Sequence, residues 1–255
     1  MSPEGQTLLP NVGSGLMALH PGTAGLVAGR PPKHGLGLTA AGRGLMFVSA
    51  PDGPRGLAAV VKRAVDLVGA LVLVVLTAPL MLTIAALIVL DSPGPPLIRQ
   101  ERVGRGMRLF RMYKFRSMLR ESDKLRTQLL DMNELDGPLF KIRRDPRLTR
   151  VGARIRRWSI DELPQLLNVV RGEMSLVGPR PPFDHEVEQD YLRQAIRLRY
   201  PPGMTGLWQV SGRSDLAYDE MMRLDLSYTR DWSIELDVRI LLRTVPVVLS
   251  GKGAY

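Results

Sequence analysis

A stretch of 24 residues without a charged side chain, Leu67 to Leu90, constrains this chain more than any other feature. As an α-helix it would be roughly 36 Å long, whereas the hydrocarbon core of a bilayer is about 30 Å thick. The stretch has no polar face, which disfavours an ordinary buried helix of a soluble domain. It also begins too far from the N-terminus, and lacks the cleavage pattern, for a signal peptide. It therefore predicts a helix inserted in a membrane.

Pro79 lies in the middle of this stretch and leaves its topology open. Proline removes a backbone donor and clashes with the preceding turn, so it bends or breaks a helix. Basic residues, which prefer the cytoplasmic side, flank both ends of the stretch. They are Arg55, Lys62 and Arg63 before it, and Arg99, Arg102 and Arg105 after it. A kinked spanning helix and a re-entrant helix that breaks at Pro79 are about equally compatible with these residues.

Composition divides the chain into three segments. Residues 1–56 hold 12 of the 25 glycines and 7 of the 20 prolines, which predicts a disordered cytoplasmic tail. Residues 57–96 contain the apolar stretch and end in a Pro/Gly cluster. Residues 97–255 are basic and soluble in character, with one partly alternating strand predicted over Met107–Met118. Helical patterns fill much of the rest, so we expect an α+β fold that is mainly helical with a minor β element.

The last predicted helix, Ile234–Leu249, is apolar with Arg239 and Arg243 four residues apart on one face. That pattern suits an amphipathic helix at a membrane surface, and it suits a core helix equally well. The helices predicted before it are Ser122–Met132, one or two within Arg150–Val170, Asp184–Tyr200 and Tyr218–Thr229.

Composition also limits the chemistry. The chain has no cysteine, which excludes disulfides, thiolate metal sites, iron–sulfur clusters and a cysteine nucleophile. It has only three histidines, so a histidine metal site or catalytic triad is not expected. Although the net charge is +10, aromatic residues make up only 5% of the chain, which disfavours a nucleic-acid binder that stacks on bases. Any catalysis must therefore use carboxylates and cations.

The adjacent carboxylates Asp161 and Glu162 follow a cluster of arginines at positions 154, 156 and 157. Ser159 and Glu162 have the spacing of a helix capping box, which is the more common role for such residues. The same residues also suit catalysis, because a helix start and guanidinium groups attract phosphate. Adjacent carboxylates there would bind Mg²⁺ and supply a nucleophile. These residues alone leave both readings open and favour capping.

Three other short stretches carry polar groups that suit phosphate or sugar binding. Gly178-Pro-Arg-Pro181 forms a stiff turn that presents Arg180. Residues 200–213 form a Gly-rich loop that contains Gln209 and Arg213. Lys114 and Arg116 would share one face of the predicted strand. Each stretch is equally compatible with an ordinary surface turn or an edge strand.

Taken in order along about 57–255, these stretches closely resemble the bacterial sugar transferase family, monotopic polyprenyl-phosphate sugar-1-phosphate transferases. Each motif is weak alone, but the ordered set is specific. The chain resembles the short, catalytic-core form, because only the Gly/Pro-rich tail precedes the matching region. Trp158 departs from the family pattern, which has a smaller or hydroxylated residue there. The matching motifs are Lys62–Leu67, Ala78-Pro79, Arg99–Gly104, Tyr113–Met118, Asp145–Arg147, Ser159–Leu166, Val177–Pro181 and Gly203–Arg213.

The resemblance implies that Asp161 and Glu162 form the catalytic dyad. Asp161 would attack the β-phosphorus of a UDP-sugar, release UMP and pass the sugar phosphate to undecaprenyl phosphate, which begins exopolysaccharide or glycan assembly. Mg²⁺ would be bound chiefly by Glu162, together with Asp161. The implied phosphate contacts are Lys114, Arg116, Arg156 and Arg180, and Gln209 and Arg213 are weaker candidates for the nucleotide or sugar end.

The resemblance also implies a re-entrant membrane helix hairpin, broken near Pro79, and a small catalytic domain on the cytoplasmic face of the bacterial plasma membrane. The C-terminal part looks like members that transfer glucose or galactose phosphate. An N-acetylhexosamine donor stays open, as does a non-catalytic basic domain that binds anionic lipid or nucleic acid. No nucleic-acid partner is expected of the enzyme, and a homo-oligomer stays open.

Overall fold

The structure is a computed structural model that describes residues 53–134, 139–140, 142, 145–251 and 253. The predicted tail therefore lies almost entirely outside the described residues. The first element of the described residues is helix α1, Gly56–Asp91, and among those residues it is the one helix long and apolar enough to cross a membrane. The predicted membrane segment is thus a helix of 36 residues.

Helix α1 continues through Pro79, so the expected break is not seen as an interruption of the helix. Proline removes one N–H donor, so the Val75 carbonyl loses the partner that it would have in a regular α-helix. Thr77 Oγ1 donates to the Leu73 carbonyl at 2.7 Å, and Thr83 Oγ1 donates to the Pro79 carbonyl at 2.9 Å. Neither hydroxyl donates to the Val75 carbonyl, and bonds of this i to i−4 kind are typical of bent helices.

One face of α1 packs on the rest of the protein near both of its ends. Ala70 lies in the main apolar core, whereas Ile84 and Ile88 pack in a second cluster with Phe115 and Ile155. Most other apolar side chains of α1 are exposed, including Val75 and Leu76 in the middle and Leu90 at the end. Exposed apolar side chains of this density are typical of a lipid-facing surface.

Two small sheets support the remaining helices, which confirms a mainly helical fold with a minor β element. Strands β1, Leu97–Val103, and β2, Leu109–Phe115, form an antiparallel hairpin in which Leu97 faces Phe115. Strands β3, Ser175–Val177, and β4, Gly203–Thr205, pair in parallel. Strand β2 lies within the predicted strand Met107–Met118, whereas strand β1 was not predicted.

The helices after the first hairpin follow the predicted order. Helices α7 and α8 match their predicted bounds to within about one residue. The predicted segment Arg150–Val170 is divided by a 3₁₀ segment, Ile160–Gln165, that contains both dyad carboxylates. The helices are α2 Ser122–Gln128, α3 Arg150–Arg157, α4 Leu166–Arg171, α5 Asp184–Gln189, α6 Tyr191–Arg197, α7 Tyr218–Arg230 and α8 Ile234–Ser250.

The main core joins α1, β2, α4, β3, α7 and α8. Its buried residues include Ala70, Met112, Leu166, Val169, Val177, Tyr228 and Ile240. Because β2 and α4 both belong to this core, the 3₁₀ segment between α3 and α4 is held against β2. This packing positions the dyad.

Candidate active site

The dyad lies directly after a tight change of direction in the chain. Helix α3 ends at Arg157, and Ser159 then adopts a left-handed conformation with φ of +54°. An N-cap residue normally needs extended backbone angles to turn its side chain onto the helix. Ser159 therefore makes no capping bond, and the capping box expected with Glu162 is wrong. Its hydroxyl instead accepts a hydrogen bond of 3.4 Å from Arg213 Nη2.

Asp161 and Glu162 both lie close to the Lys114 ammonium. Lys114 Nζ lies 2.7 Å from Glu162 Oε1 and 3.6 Å from Asp161 Oδ2. The Asp161 residue is only 6% exposed, whereas the Glu162 side chain is 37% exposed. The buried carboxylate and the more accessible one thus share a single cation.

Asn168 ties the strand that carries Lys114 to the helix that follows the dyad. Its side chain is fully buried in α4. Asn168 Oδ1 accepts from the Tyr113 backbone N–H at 3.0 Å, and Nδ2 donates to the Arg111 carbonyl at 2.8 Å. These two bonds fix β2 beside the 3₁₀ segment. No sequence signal identified Asn168, because a lone asparagine in an apolar helix has no characteristic pattern.

The two carboxyl groups have pKa values that shift in opposite directions. Burial raises the pKa of Asp161, and the Lys114 and Arg156 charges reduce this effect without reversing it. Burial also acts to raise the pKa of Glu162, but the charge and hydrogen bond of Lys114 outweigh it, and the pKa is lowered. Burial of Asp161 could not be seen from the sequence.

Several of the cationic residues predicted to contact the substrate act electrostatically on Asp161 and Glu162. The Arg156 charge acts on Asp161, and the Arg180 charge lowers the pKa of Glu162. Glu162 in turn acts to raise the pKa of Arg213, although burial lowers it overall. The structure therefore groups Lys114, Arg156, Arg180 and Arg213 electrostatically with the dyad.

Two predicted site residues, Arg116 and Gln209, donate hydrogen bonds to backbone carbonyls. The buried Arg116 guanidinium donates to the carbonyls of Ile88, Ser92 and Pro93 at the end of α1. These bonds hold the end of helix α1, because strand β2 ends at Phe115 and the chain then turns toward α1. Gln209 Nε2 donates weakly to the Met204 carbonyl at 3.4 Å.

Arg102 belongs to the charge environment of Glu162 and was missed as a site residue. Its guanidinium lies 3.3 Å from the centre of the Phe183 ring, and it donates to the Pro181 carbonyl at 3.1 Å. Burial is the main cause that lowers the pKa of Arg102 to about 9. Its place in the Arg99–Gly104 motif was the signal available in the sequence.

The carboxylate pair fits a magnesium ion. Mg²⁺ in phosphate chemistry is typically bound by one or two carboxylates, with substrate phosphates and waters as the other ligands. Asp161 and Glu162 already hold a positive charge, the Lys114 ammonium, between them. No group of three or more acidic, histidine or cysteine ligands occurs among the described residues, so the remaining ligands would come from substrate and water.

The chain resembles known proteins over most of the described region. Residues 57–251 match the model of the bacterial sugar transferase family. The undecaprenyl-phosphate galactose phosphotransferase of Salmonella typhimurium is 42% identical over 76% of this chain and 41% of its own length. The UDP-N-acetylgalactosamine-undecaprenyl-phosphate N-acetylgalactosaminephosphotransferase of Aeromonas hydrophila is 41% identical, over 79% of this chain and 46% of that protein.

A shorter relative is covered almost completely. The exopolysaccharide production protein ExoY of Rhizobium meliloti is 38% identical over 79% of this chain and 91% of its own length. By contrast, the chain spans less than half the length of the two phosphotransferases. The match to the family model and the coverage of ExoY establish that this chain belongs to the bacterial sugar transferase family.

Proposed function

We propose that this protein transfers a sugar-1-phosphate, with glucose or galactose as the sugar, from a UDP-sugar to undecaprenyl phosphate. The observation that carries the proposal is the buried Asp161 beside Glu162 and Lys114, within a chain of this family. A carboxylate next to cations suits attack on phosphorus, because the cations neutralise charge on the phosphates.

The reaction proceeds in two displacements on the β-phosphorus. In the first, an Asp161 carboxylate oxygen forms a bond to the β-phosphorus, the bond to the bridging oxygen breaks, and UMP leaves. In the second, an oxygen of undecaprenyl phosphate attacks the same phosphorus and the bond to Asp161 breaks. The carboxylate is regenerated, and the product is a sugar linked to the lipid through a diphosphate.

The cations around the dyad have different proposed roles. Lys114, which contacts both carboxylates, orients Asp161 and offsets the charge of the incoming phosphates. Arg156 and Arg180 are the phosphate-binding candidates, and Gln209 and Arg213, which follow β4, are candidates for the nucleotide or sugar end. Mg²⁺, bound by Glu162 and Asp161, would supply further charge neutralisation on the diphosphate.

Helix α1 brings this site to a lipid substrate, and we propose that it is re-entrant. Arg63 donates to the carbonyls of Val169 and Val170, whereas Asp91, at the other end, accepts from the Val151 N–H at 2.9 Å. Along a straight helix, residues 63 and 91 would be about 42 Å apart. This distance exceeds the thickness of a hydrocarbon core, about 30 Å. A helix that crossed the bilayer straight would therefore place the Arg63 contacts and the Asp91 contact on opposite sides of the membrane, although both are made to the same domain.

A re-entrant α1 would place its exposed apolar side chains in lipid, and it would place helix α8 at the membrane surface. Helix α8 exposes Val238, Leu242, Val245 and Leu249, and Arg239 and Arg243 flank them. Basic and apolar side chains on one helix suit an anionic cytoplasmic leaflet. The proposed location is therefore the cytoplasmic face of the bacterial plasma membrane.

The test measures UMP release from a panel of UDP-sugars by detergent-solubilised protein with Mg²⁺ and undecaprenyl phosphate. We expect release with one hexose donor, loss of release in Asp161→Asn, and normal release in the control Asp184→Asn, which changes an exposed carboxylate. Folded protein that releases UMP from no donor would contradict the proposal and favour a non-catalytic domain that binds anionic lipid.

A second donor class is an N-acetylhexosamine, because the Aeromonas hydrophila relative is named for N-acetylgalactosamine. The same panel separates the two classes directly. Release from a UDP-N-acetylhexosamine, and none from UDP-glucose or UDP-galactose, would replace the hexose assignment while leaving the reaction type unchanged.

A further inference from the structure

Arg180, a proposed phosphate contact, is held from behind by three buried charged residues. We call Glu186, Arg197 and Asp225 the rear cluster. Their exposed fractions are 2%, 3% and 1%, whereas the Arg180 side chain is 26% exposed. The accessible guanidinium therefore rests on charges that are shielded from solvent.

Glu186 holds the guanidinium itself. Arg180 Nη1 donates to Glu186 Oε2 at 2.7 Å, and Nη2 donates to Oε1 at 3.2 Å. Such a two-point contact fixes both the position and the plane of a guanidinium group. It uses one edge of the group and leaves other N–H donors of Arg180 for a ligand.

The other two members of the rear cluster hold the Arg180 backbone. Arg197 Nη2 donates to the Arg180 carbonyl, and Asp225 Oδ2 accepts from the Arg180 N–H at 3.3 Å. Arg197 and Asp225 are themselves paired at 2.6 Å. Helices α5, α6 and α7 thus each contribute one side chain to the placement of a single residue.

The arrangement has a specific electrostatic character. Arg180 and Arg197 balance Glu186 and Asp225, and the neighbouring Arg102 charge also acts on Glu186. With Arg102 and Glu162 included, three cations accompany three carboxylates, so the charges of the group balance. The Arg180 charge acts on Glu162, which links the rear cluster to the dyad.

We propose that Glu186 is a positioning residue that aims the Arg180 guanidinium at a phosphate of the nucleotide-sugar donor. The inference rests on the proposed function, because it assigns a role within that same site. Glu186 acts through Arg180 and does not touch substrate. Outer residues that orient a direct ligand commonly change affinity or activity by about 10- to 100-fold when replaced.

The alternatives predict different results. If the pair only stabilised the fold, loss of Glu186 would lower the unfolding temperature and leave kcat/KM of the folded protein unchanged. If Glu186 withheld Arg180 from phosphate, its loss would increase activity. A double-mutant cycle separates these cases, because residues that act as a unit are not additive.

The experiment measures kcat and KM for UMP release with the preferred UDP-sugar in wild type, Glu186→Gln, Arg180→Ala and the double variant. Glu188→Gln, an exposed glutamate on the same helix, is the control. We expect Glu186→Gln to lower kcat/KM about tenfold and Glu188→Gln to leave kcat/KM unchanged. In the Arg180→Ala background, we expect Glu186→Gln to lower kcat/KM by less than about a further twofold. Thermal unfolding of each variant measures the structural cost separately.

Glu186→Asp provides a test if Glu186→Gln fails to fold. It keeps the charge but moves the carboxylate away from Arg180, so we expect an activity loss that again depends on Arg180. Full additivity with Arg180→Ala, unchanged activity or increased activity would overturn the inference. If the wild type is active and Glu186→Gln has the same activity as Glu188→Gln, the inference about Glu186 is overturned and the proposed function stands. If the wild type is inactive with every UDP-sugar, the proposed function is overturned as well.

Discussion

Replacement of Lys114 by methionine tests the electrostatic account of the dyad most sharply. Methionine has a similar length but no charge, so Asp161 and Glu162 would lose the cation that lies 3.6 Å and 2.7 Å from their oxygens. An opposite charge at such distances lowers a carboxyl pKa by about 1–3 units. One unit corresponds to about 1.4 kcal/mol, so the change is worth about 1.4–4 kcal/mol.

The expected result is a shift of the acid limb of the pH–rate profile. Asp161 attacks as the carboxylate, and its pKa is already raised by burial in the wild type. Removal of the Lys114 charge raises this pKa further, so a higher pH is needed to ionise the nucleophile. We expect the acid limb of kcat for UMP release to move to higher pH by about 1–3 units, together with a lower plateau.

Lys124→Met is the matched control, because the Lys124 side chain is 80% exposed and pairs with Glu121 rather than with the dyad. Its profile should coincide with that of the wild type. If Lys114→Met kept the wild-type acid limb while its plateau fell, Lys114 would act on the substrate only, and the reasoning about Asp161 would be refuted.

Three further predictions concern the fold around the site. Lys62→Met should lower the free energy of unfolding by about 3–5 kcal/mol, because Lys62 lies 2.6 Å from buried Asp237; an unfolding midpoint equal to that of Lys124→Met would contradict this. Pro79→Leu should favour a straight span and move an N-terminal tag outside the cell, and a tag that stays cytoplasmic would show that Pro79 is not decisive. Asp225 has its pKa raised to about 6 by burial, so ionisation costs stability above about pH 4. Relative to Asp225→Asn, the wild type should lose about 3 kcal/mol between pH 4 and pH 7, and parallel pH profiles of chemical unfolding would contradict this.

The sequence predicted the elements that depend on local pattern. Helix α8 was predicted from its apolar residues with Arg239 and Arg243 four apart. The structure adds a serine N-cap, in which Ser233 Oγ accepts from the Leu236 N–H. The residue pattern alone favoured a capping role for Asp161 and Glu162, and only the family resemblance implied a catalytic dyad, which stays a prediction. The motif order then indicated the family, which the comparison with known proteins confirmed.

Features that depend on distant contacts were not predictable in this way. Arg116 was grouped with Lys114 by strand alternation, but its surroundings are set by where α1 ends, 25 residues earlier. The Ser159 cap failed because a single left-handed residue removes it, and no local sequence signal requires that conformation. Glu186 meets Arg180 only because α5 folds back on the Gly178–Pro181 turn.

A covalent intermediate on Asp161 is the central claim, and intact-protein mass spectrometry tests it most directly. The purified protein is incubated with Mg²⁺ and its preferred UDP-sugar in the absence of undecaprenyl phosphate. The account predicts an added mass of one sugar phosphate, located on Asp161 by peptide mapping, absent from Asp161→Asn and discharged when undecaprenyl phosphate is added. Turnover by the wild type with no adduct under rapid quench, or an adduct on another residue, would contradict it.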